Sequence, residues 1–462
     1  MTADSRMVKP GFLFAALPGT QVDGRRFIPQ AIEAGAVAVL AVPGTQADVP
    51  VIESEEPRQT LALIAMQFHV GQPQFVAGIT GTNGKTSVAR FVGQLWTALG
   101  QKAGTLGTLG AFAPGFEYAL RHTTPDPVEI HQVLASMKKV GTTHLAMEVS
   151  SHGLSQYRAD GVQFSYGAFT NITQDHLDYH PDFDDYFNAK MRLFTELVPK
   201  GAPVVINADG PGSDRAIKVV KKAGREVFTV GRAGHDLVME DLKAIPTGLH
   251  AVIRHDGGTK EIDLPLIGAF QADNALVAAG LAIVSGLSAD RVLDALGGLS
   301  AAPGRMQKAG VRTFAGGGEA TAYVDYAHTP AAIETALKAI APHTHGEIHI
   351  VFGAGGDRDR GKRPLMAEAA AAGAGHVVVT DDNPRGEDAA LIRKEVMVGA
   401  PNAIEVGGRE DAIAAAVAQL KPGDVLLVAG KGHEQGQTID GITYPFDDVS
   451  ITENHMRKAS VS

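Results

Sequence analysis

Apolar and polar positions follow two alternating patterns along this chain. Short apolar runs predict buried strands, and runs with an apolar residue at every third or fourth position predict amphipathic helices. In the last third the strand candidates are 321–324, 348–352, 376–380 and 425–429, separated by helical patterns at 331–340, 364–373, 387–397 and 409–420. This alternation predicts an α/β fold, with a doubly wound, Rossmann-like sheet covered by helices on both faces.

The earlier part of the chain shows the same alternation in two further segments. Residues 12–17 and 37–40 read as strands around a helix at 27–34, and residues 144–149, 166–169 and 204–206 as buried strands. Gly71-Gln-Pro73 and Pro303-Gly-Arg305 look like junctions. We therefore predict three domains: a small α/β unit at 1–73, a central mostly parallel sheet at 74–305, and the doubly wound sheet at 306–462.

The run from Gly78 to Ser87, with sequence GITGTNGKTS, carries the strongest chemical signal. It lies between an apolar strand candidate and a helical pattern, and such glycine loops hold nucleotide phosphates on backbone N–H groups. Lys85 can reach the outer phosphates, and the hydroxyl of Thr86 or Ser87 can bind Mg²⁺. A plain glycine turn with an exposed lysine is the weaker interpretation, because strand, loop and helix follow in the required order.

Two further groups stand at the ends of predicted strands in the central segment. Glu148 ends the apolar strand at 144–149, where an acid commonly provides a second anchor for Mg²⁺ beside a phosphate loop. His176 belongs to a polar stretch after the strand at 166–169, which suggests a metal or phosphate site. The alternatives are a solvated carboxylate and a capped turn, and the nearby loop favours the functional interpretation of both.

Lys190 lies on the apolar face of a predicted helix over residues 184–197. Burial lowers the pKa of an amine, and a neutral amine can capture CO₂ to form an anionic carbamate that could bind a second Mg²⁺. The alternative is that the side chain extends along the apolar surface to reach water. Periodicity alone favours this second interpretation.

Composition narrows the class of protein. The 462 residues carry a formal net charge of −10, which argues against nonspecific binding to nucleic acid or anionic membranes. There is no cysteine, so disulfides and thiolate metal sites are excluded. No apolar run approaches the roughly 20 residues of a membrane span, and the N-terminus lacks a signal-peptide pattern. We expect a cytoplasmic monomer.

An ordered set of motifs resembles the Mur ligase family. The motifs are Thr80-Gly-Thr-Asn-Gly-Lys-Thr86, Met147-Glu-Val-Ser-Ser-His152, Asp175-His-Leu-Asp178, Asn188-Ala-Lys190, Pro303-Gly-Arg305 and Asp382-Asn-Pro-Arg385. The resemblance implies a UDP-sugar domain, an ATP domain and an amino-acid domain. It also implies that ATP phosphorylates the terminal carboxylate of UDP-N-acetylmuramoyl-L-alanyl-D-glutamate, and that an amine attacks the resulting acyl phosphate.

The resemblance also implies residue roles for the nucleotide and its metal ions. Thr86 and Glu148 would hold one Mg²⁺, and His176 with carbamylated Lys190 the second. The adenine, phosphate and ribose would meet Asn274, Arg305 and Asp325, respectively. The remaining nucleotide contacts would come from the loop: Gly81, Thr82, Asn83, Gly84, Lys85, Thr86 and Ser87.

The same resemblance assigns the two other substrates. The sugar nucleotide and its peptide would meet Ser5, Thr20, Gln21, Val22, Thr123, Thr124, Ser150, Gln156 and Arg158. Some of these small polar residues are expected to be only caps and turns. The incoming amino acid would meet Arg358, Asp382, Asn383, Pro384, Arg385, Gly430 and Glu434.

The motif Asp382-Asn-Pro-Arg385 resembles the version that selects meso-diaminopimelate. A guanidinium matches the carboxylate that lysine lacks, and Gly430 and Glu434 would read the distal ammonium. Without the resemblance, an ordinary turn after a strand would be the better interpretation. The sequence departs from the family at His122 and Gln271, where asparagine is common, and its first domain is short.

Four other functions compete with this interpretation. The first is a lysine-adding homologue, which would lack the arginine of the Asp-Asn-Pro-Arg motif. The second is a folylpolyglutamate synthetase-like ligase, which would need neither a UDP domain nor that motif. The third is a nucleotide switch or transport ATPase, and the fourth an inactive scaffold. The joint presence of Lys85, Glu148, His176 and Lys190 disfavours the scaffold.

Overall fold

The computed structural model describes residues 1–19, 22–176 and 179–460. Internal contacts divide the chain into two compact units. The first contains 1–239, 254–258 and 274–295, and the second contains 240–253, 259–273 and the chain from 296 onward. The predicted boundary at residue 73 lies inside the first unit, and the boundaries of the three predicted domains remain predictions.

Fourteen α-helices lie within the described residues. They are α1 (Ile28–Glu33), α2 (Pro57–Phe68), α3 (Lys85–Ala98), α4 (Pro127–Lys139), α5 (Ser151–Ser155), α6 (Phe183–Arg192), α7 (Ser213–Lys222), α8 (Ala269–Val284), α9 (Ala289–Ala295), α10 (Pro330–Ile340), α11 (Lys362–Gly373), α12 (Ala389–Met397), α13 (Arg409–Gln419) and α14 (Asp448–Ala459). None of these helices has the length and apolar character needed to cross a membrane.

Twenty-two strands accompany the helices in the same described residues. They are β1 (Phe12–Ala15), β2 (Ala36–Ala41), β3 (Val51–Glu53), β4 (Phe75–Thr80), β5 (Ala103–Gly107), β6 (Gly110–Ala113), β7 (Phe116–Tyr118), β8 (His144–Glu148), β9 (Tyr166–Phe169), β10 (Pro203–Asn207), β11 (Glu226–Gly231), β12 (Leu237–Ile245), β13 (Gly248–His255), β14 (Gly258–Leu264), β15 (Gln307–Thr313), β16 (Glu319–Asp325), β17 (Ile348–Phe352), β18 (His376–Val379), β19 (Ile404–Glu405), β20 (Val425–Ala429), β21 (Gly436–Ile439) and β22 (Ile442–Pro445).

The first unit contains two sheets. Strands β1, β2 and β3 form a small parallel sheet whose apolar side packs on α1. The larger sheet contains the strand run β12-β11-β10-β9-β4-β8-β5-β6-β7 as part of its eleven strands, and β4 pairs in parallel with both β8 and β9. Because parallel strands end at the same edge of a sheet, the segments after β4, β8 and β9 converge there.

The second unit contains the predicted doubly wound sheet, in the order β15-β16-β20-β17-β18-β19. All neighbouring strands in this sheet run parallel, except for the antiparallel pair β15 and β16. Alternate residues of β20 enter different cores: Leu427 packs with α10, α11 and α12, and Leu426 packs with α13 and α14. This alternation follows from the two-residue period of a strand that is buried on both faces, and it confirms the predicted α/β class.

The structure departs from the sequence predictions in one helix and in a group of strands. The helix predicted over 184–197 is α-helical only to Arg192, and the segment Leu193–Leu197 is a π-helical turn closed by the N–H of Val198 on the carbonyl of Leu193. The prediction of one continuous helix was therefore wrong in its last turn, because apolar periodicity does not distinguish α from π hydrogen bonding. The strands β12, β13 and β14 were also not predicted; buried and more exposed residues alternate along β13 and β14, whereas β12 begins with three buried residues.

Candidate active site

The predicted phosphate loop connects β4 to α3 in the first unit. Gly84 precedes α3 with φ of 87°, a left-handed conformation that glycine adopts without steric cost. The ammonium of Lys85 turns back over the loop and donates to the carbonyl oxygens of Gly81 at 2.9 Å and Thr82 at 2.8 Å. Strand, loop and helix therefore have the geometry that the sequence predicted.

Residues after β9 hold this loop in place. The backbone N–H of Thr82 donates to the carbonyl of Asn171 at 2.9 Å, and the N–H of Asn83 donates to the side-chain oxygen of Asn171 at 3.0 Å. Thr170 donates its hydroxyl to the carbonyl of Asn83 at 2.6 Å. Thr170 and Asn171 were not predicted to have this role, although both lie in the polar stretch that contains His176.

Glu148 is buried at the end of β8, directly beside the start of α3. Its carboxylate accepts the hydroxyl of Thr86 at 2.9 Å, the backbone N–H of Thr108 at 2.9 Å and the hydroxyl of Thr108 at 3.1 Å. A Cβ at Gly107 would overlap this carboxylate, so any larger residue there would displace the Glu148 side chain. Sequence reasoning missed Gly107 and Thr108, because they lie on β5 and in the turn after it, about 40 residues earlier.

The donors at this point suit a magnesium ion. Mg²⁺ prefers hard oxygen ligands, usually one or two carboxylates together with substrate phosphates. A hydroxyl of Thr86 and a carboxylate oxygen of Glu148 lie 2.9 Å apart next to the phosphate loop. The residues present therefore fit the ion that the sequence predicts.

Lys190 is 1% exposed, which answers the question that periodicity left open. Its amine does not reach water but donates to the carbonyl of Gly81 at 2.8 Å, the oxygen that Lys85 also contacts. Burial, and then the charge of Lys85, hold the pKa of Lys190 well below its ordinary value. The structure thus places an amine with a lowered pKa against the phosphate loop.

Tyr186 lies beside both the phosphate loop and Lys190. Its hydroxyl is 2.9 Å from that of Thr82, and the Lys190 amine lies 4.4 Å from its ring centre. The ring of His176 lies 6.0 Å from the ring of Tyr186, and burial raises the pKa of Tyr186 to about 12. His176, with a left-handed φ of 54°, and Lys190 therefore both lie near the ring of Tyr186.

A cavity of about 170 Å³ lies in the first unit, and its lining residues do not belong to the phosphate loop. Gln156 and Arg158, both predicted to contact the sugar-nucleotide peptide, line it together with His122. The guanidinium of Arg158 donates to the side-chain oxygen of Gln156 at 2.7 Å and to the carbonyl of Thr124 at 2.9 Å. The remaining lining residues are Ala3, Leu17, Arg58, Leu61, Asp126 and Pro127, none of which the sequence singled out.

Three other residues predicted to contact the peptide have structural partners. The hydroxyl of Thr124 donates to the carbonyl of Glu148 and accepts the N–H of Ser150, and the hydroxyl of Ser150 caps α5. Thr123 lies 3.0 Å from the hydroxyl of Thr108, which in turn contacts Glu148. These contacts connect the predicted peptide site to the predicted metal site.

The remaining first-unit residues are placed as follows. Ser5 contacts Gln30 at 3.2 Å in the N-terminal segment, and Val22 is exposed. Thr20 and Gln21 lie outside the described residues. Asn274 packs against the phosphate loop, since a Cβ at Gly84 would overlap its side-chain oxygen.

The second unit gathers the predicted amino-acid residues after β17, β18 and β20. Arg385 has a left-handed φ of 54° and donates to the carbonyl of Gly356 at 2.6 Å. Arg358 belongs to the same glycine loop, and Pro384 packs so closely on Gly356 that no Cβ fits there. A Cβ at Gly430 would also contact Asp382, so three strand ends meet at one point.

A buried lysine that the sequence analysis did not select organises this edge. Lys431 is completely buried and donates to Asn383 at 3.2 Å, to Glu434 at 3.1 Å and to the carbonyl of Gly436 at 2.6 Å. The amide of Asn383 also donates to the same Glu434 oxygen, Oε2, at 2.8 Å. Glu434 is therefore held in place through one carboxylate oxygen.

Arg305 and Asp325 form a separate cluster of the second unit. The guanidinium of Arg305 lies 4.5 Å from the ring centre of Tyr326. Both oxygens of Asp325 accept backbone N–H groups, from Met306 and Ala327, each at 2.8 Å, and burial raises the pKa of Asp325. His433 packs on Tyr326, and burial next to Arg305 lowers the pKa of His433 to about 4.

Family profiles match three successive parts of the chain. Residues 1–69 match the Mur ligase family catalytic domain, residues 79–282 the Mur ligase middle domain, and residues 304–432 the Mur ligase glutamate ligase domain. Together these ranges cover most of the chain.

Curated relatives match over nearly the whole chain. The UDP-N-acetylmuramoyl-L-alanyl-D-glutamate--2,6-diaminopimelate ligase of Agrobacterium fabrum is 51% identical, over 97% of this chain and 91% of the relative. The protein of the same name in Caulobacter vibrioides is 49% identical, over 98% and 94%. These identities far exceed what a shared fold alone requires.

Solved structures agree with the sequence matches. A structure of a UDP-N-acetylmuramoyl-L-alanyl-D-glutamate--2,6-diaminopimelate ligase aligns with a TM-score of 0.73 and 33% identity, covering 100% of this chain and 94% of the other. The MurF ligase of Thermotoga maritima in complex with ADP aligns with a TM-score of 0.64 over 99% and 97%, at 19% identity, and supports the fold alone.

Proposed function

This chain belongs to the Mur ligase family, and from that premise we propose that it joins meso-diaminopimelate to the D-glutamate of UDP-N-acetylmuramoyl-L-alanyl-D-glutamate in peptidoglycan synthesis. ATP is consumed, and ADP and phosphate are released. The relatives that are about half identical over almost the entire chain carry this name. The observation that carries the proposal is that Lys85 of the phosphate loop and the buried Lys190 both donate to the carbonyl oxygen of Gly81.

The chemistry requires a carboxylate to become an electrophile. A carboxylate oxygen attacks the γ-phosphorus of ATP, ADP leaves, and an acyl phosphate forms. The amine of diaminopimelate then attacks the acyl carbon, loses a proton and expels phosphate, so an amide replaces the acyl phosphate. The carboxylate and the ATP phosphates are both anionic before the first step, so positive charge and oriented N–H groups are needed where they meet. Lys85 and the start of α3 supply both in the first unit.

Magnesium ions would neutralise phosphate charge in this site. Thr86 and Glu148 would hold one ion, because their oxygens already lie together beside the loop. His176 and Lys190 would hold the second, with Lys190 as a carbamate that supplies anionic oxygen in place of an amine. The support for the carbamate is a buried amine that lies against the phosphate loop and has a lowered pKa.

ATP and the sugar nucleotide would contact different sets of residues. Asn274 would meet the adenine beside the loop, and Arg305 and Asp325 would serve the phosphate and ribose. The cavity beside Gln156 and Arg158 would take the peptide end of the sugar nucleotide, where a guanidinium suits the carboxylates of that substrate. Ser5 and Val22, with Thr20 and Gln21, would contact the uridine end.

The amino acid would bind in the second unit. Arg358 and Arg385 would bind its second carboxylate, which lysine lacks. Glu434 would take the distal ammonium on Oε1, since Oε2 is already used by Lys431 and Asn383. We further propose that the enzyme acts as a monomer in the cytoplasm, where ATP is supplied.

Phosphate release tests the proposal against its alternatives. ATP, Mg²⁺ and the sugar-nucleotide dipeptide are incubated with meso-diaminopimelate, with L-lysine, or with no amino acid. We expect release with diaminopimelate only. Release with lysine would keep the ligase and refute the role of Arg385, and release regardless of both amino acids would indicate an ATPase. Absence of release under all three conditions would contradict the proposed reaction.

A further inference from the structure

A completely buried arginine lies beneath the proposed amino-acid site. Arg363 is the second residue of α11 and is 0% exposed. Its guanidinium faces the carboxylate of Glu387 in a two-pronged arrangement, with NH2 at 2.8 Å from Oε1 and NH1 at 3.1 Å from Oε2. Such paired bonds fix geometry as well as charge. Neither residue belongs to the group expected to touch the amino acid.

This ion pair extends to the backbone of the glycine loop that carries Arg358. Glu387 accepts the N–H of Asp357 at 2.6 Å, and Arg363 donates to the carbonyl of Gly355 at 3.3 Å. Asp357 returns a contact, because its carboxylate accepts the N–H of Gly386 at 3.1 Å. The pair therefore joins the loop after β17 to the loop after β18.

Both loops need such support, since each contains a residue in an unfavourable conformation. Asp357, directly before Arg358, has φ of 52°, and Arg385 has φ of 54°. Non-glycine residues adopt this left-handed region at a cost, and it persists only where surrounding contacts enforce it. Glu387 contacts the first of these residues and lies two positions after the second. Arg385 is also fixed on the other side, through Gly356.

We propose that Arg363 and Glu387 form a positioning pair that sets the spacing of Arg358 and Arg385 and thereby selects an amino acid with a second carboxylate. The inference rests on the proposed function, because it assumes that these two arginines bind that carboxylate. Arg363 and Glu387 act through the loop backbone and do not touch the substrate. Arginine beside Glu387 also holds the pKa of Glu387 at about 2, so the pair stays ionised during catalysis.

The test compares Glu387→Gln with a matched control, Glu395→Gln. Glu395 also accepts a bond from Arg363, at 2.6 Å, but has no hydrogen bond to the loop backbone among the described residues. In Glu387→Gln, an amide NH₂ replaces one carboxylate oxygen. This donor then faces either the guanidinium of Arg363 or the N–H of Asp357, which are donors themselves. We expect the KM for meso-diaminopimelate to rise about tenfold, with kcat and the KM for ATP within about twofold of the wild type. Glu395→Gln should change all three by less than about twofold.

A second variant and a second readout separate positioning from simple folding. Arg363→Lys keeps the charge but loses the two-pronged geometry, and it should reproduce the selective rise in KM. The preference for diaminopimelate over L-lysine, as a ratio of kcat/KM values, should fall about tenfold in Glu387→Gln.

Three outcomes overturn the inference. The first is an unchanged KM for diaminopimelate in folded Glu387→Gln, and the second is a parallel loss in every kinetic constant. The third is an equal effect in Glu395→Gln. Wild-type enzyme that does not use diaminopimelate would instead refute the proposed function, and the inference with it.

Discussion

The amine of Lys190 donates to the carbonyl oxygen of Gly81 at 2.8 Å, although the two residues are 109 positions apart in the chain. Lys85 donates to the same oxygen at 2.9 Å. Two amines on one acceptor are tolerated most easily when one of them is neutral, and Lys190 is the buried one. This contact joins α6 to the phosphate loop. The charge or carbamylation of Lys190 therefore acts directly on the proposed nucleotide site.

Replacing Lys190 with alanine should reduce ligation on the order of a hundredfold or more, since an anionic group beside the phosphates would be lost. Added formate or acetate should restore part of the activity, because a small carboxylate can occupy the vacated space. The matched control is Lys200→Ala, which removes an exposed lysine. Full activity of Lys190→Ala without any additive would refute the carbamate.

Gly107→Ala tests the support of Glu148. The added Cβ would overlap the Glu148 carboxylate, so the side chain must move away from Thr86. We expect a loss of at least about tenfold in kcat and a destabilisation of about 1–3 kcal/mol from overpacking. Gly298→Ala is the control, because a Cβ there meets no atom within 4 Å. If titration with Mg²⁺ gave the same half-saturating concentration in Gly107→Ala as in the wild type, the metal role of Glu148 would be wrong.

Arg385→Ala should raise the KM for meso-diaminopimelate by about tenfold or more, because a guanidinium–carboxylate pair is lost. The KM for ATP should change far less. Arg385→Lys should also be impaired, since an ammonium cannot make the paired contacts of a guanidinium. Steady-state kinetics with each substrate varied in turn measures this, and an unchanged KM for diaminopimelate would contradict the carboxylate role.

Glu387 predicts a pH dependence of stability. Its pKa falls from 4.5 to about 2 on folding, mainly through the hydrogen bond to Arg363. A lowered pKa in the folded state stabilises the protein above pH 4.5, and this contribution is lost as the pH falls toward 2. The difference in unfolding free energy between wild type and Glu387→Gln should therefore be largest near pH 7 and shrink below about 4.5. Urea unfolding at several pH values measures this difference, and a constant difference across that range would contradict the pairing.

Local sequence patterns predicted several buried strands and the helix after the phosphate loop. The strands at 166–169, 348–352 and 425–429 have the predicted bounds, and α3 follows the phosphate loop as expected. These elements were predictable because buried parallel strands are continuous apolar runs and the loop is a local motif. The apolar face of α6 likewise pointed to Lys190, although not to whether its amine reaches water.

The supporting contacts were not predictable in the same way. Thr108 reaches Glu148 across 40 positions of sequence, and Arg363 reaches Glu387 across 24. Lys431 carries no such local signal, because a lysine in a glycine-rich segment is usually exposed, whereas this one is buried and donates to Asn383 of another loop. Such partners are set by the three-dimensional approach of strand ends, which no pattern in one sequence encodes.

The central claim is that ATP activates the D-glutamate carboxylate, and oxygen transfer tests it most directly. The sugar-nucleotide substrate is prepared with ¹⁸O in that carboxylate and incubated with ATP, Mg²⁺ and meso-diaminopimelate. Mass spectrometry should find one ¹⁸O in each released phosphate, because the oxygen that attacks ATP leaves with the phosphate when the amide forms. Phosphate that contains no ¹⁸O would mean that water attacks ATP, and the ligase account would be wrong.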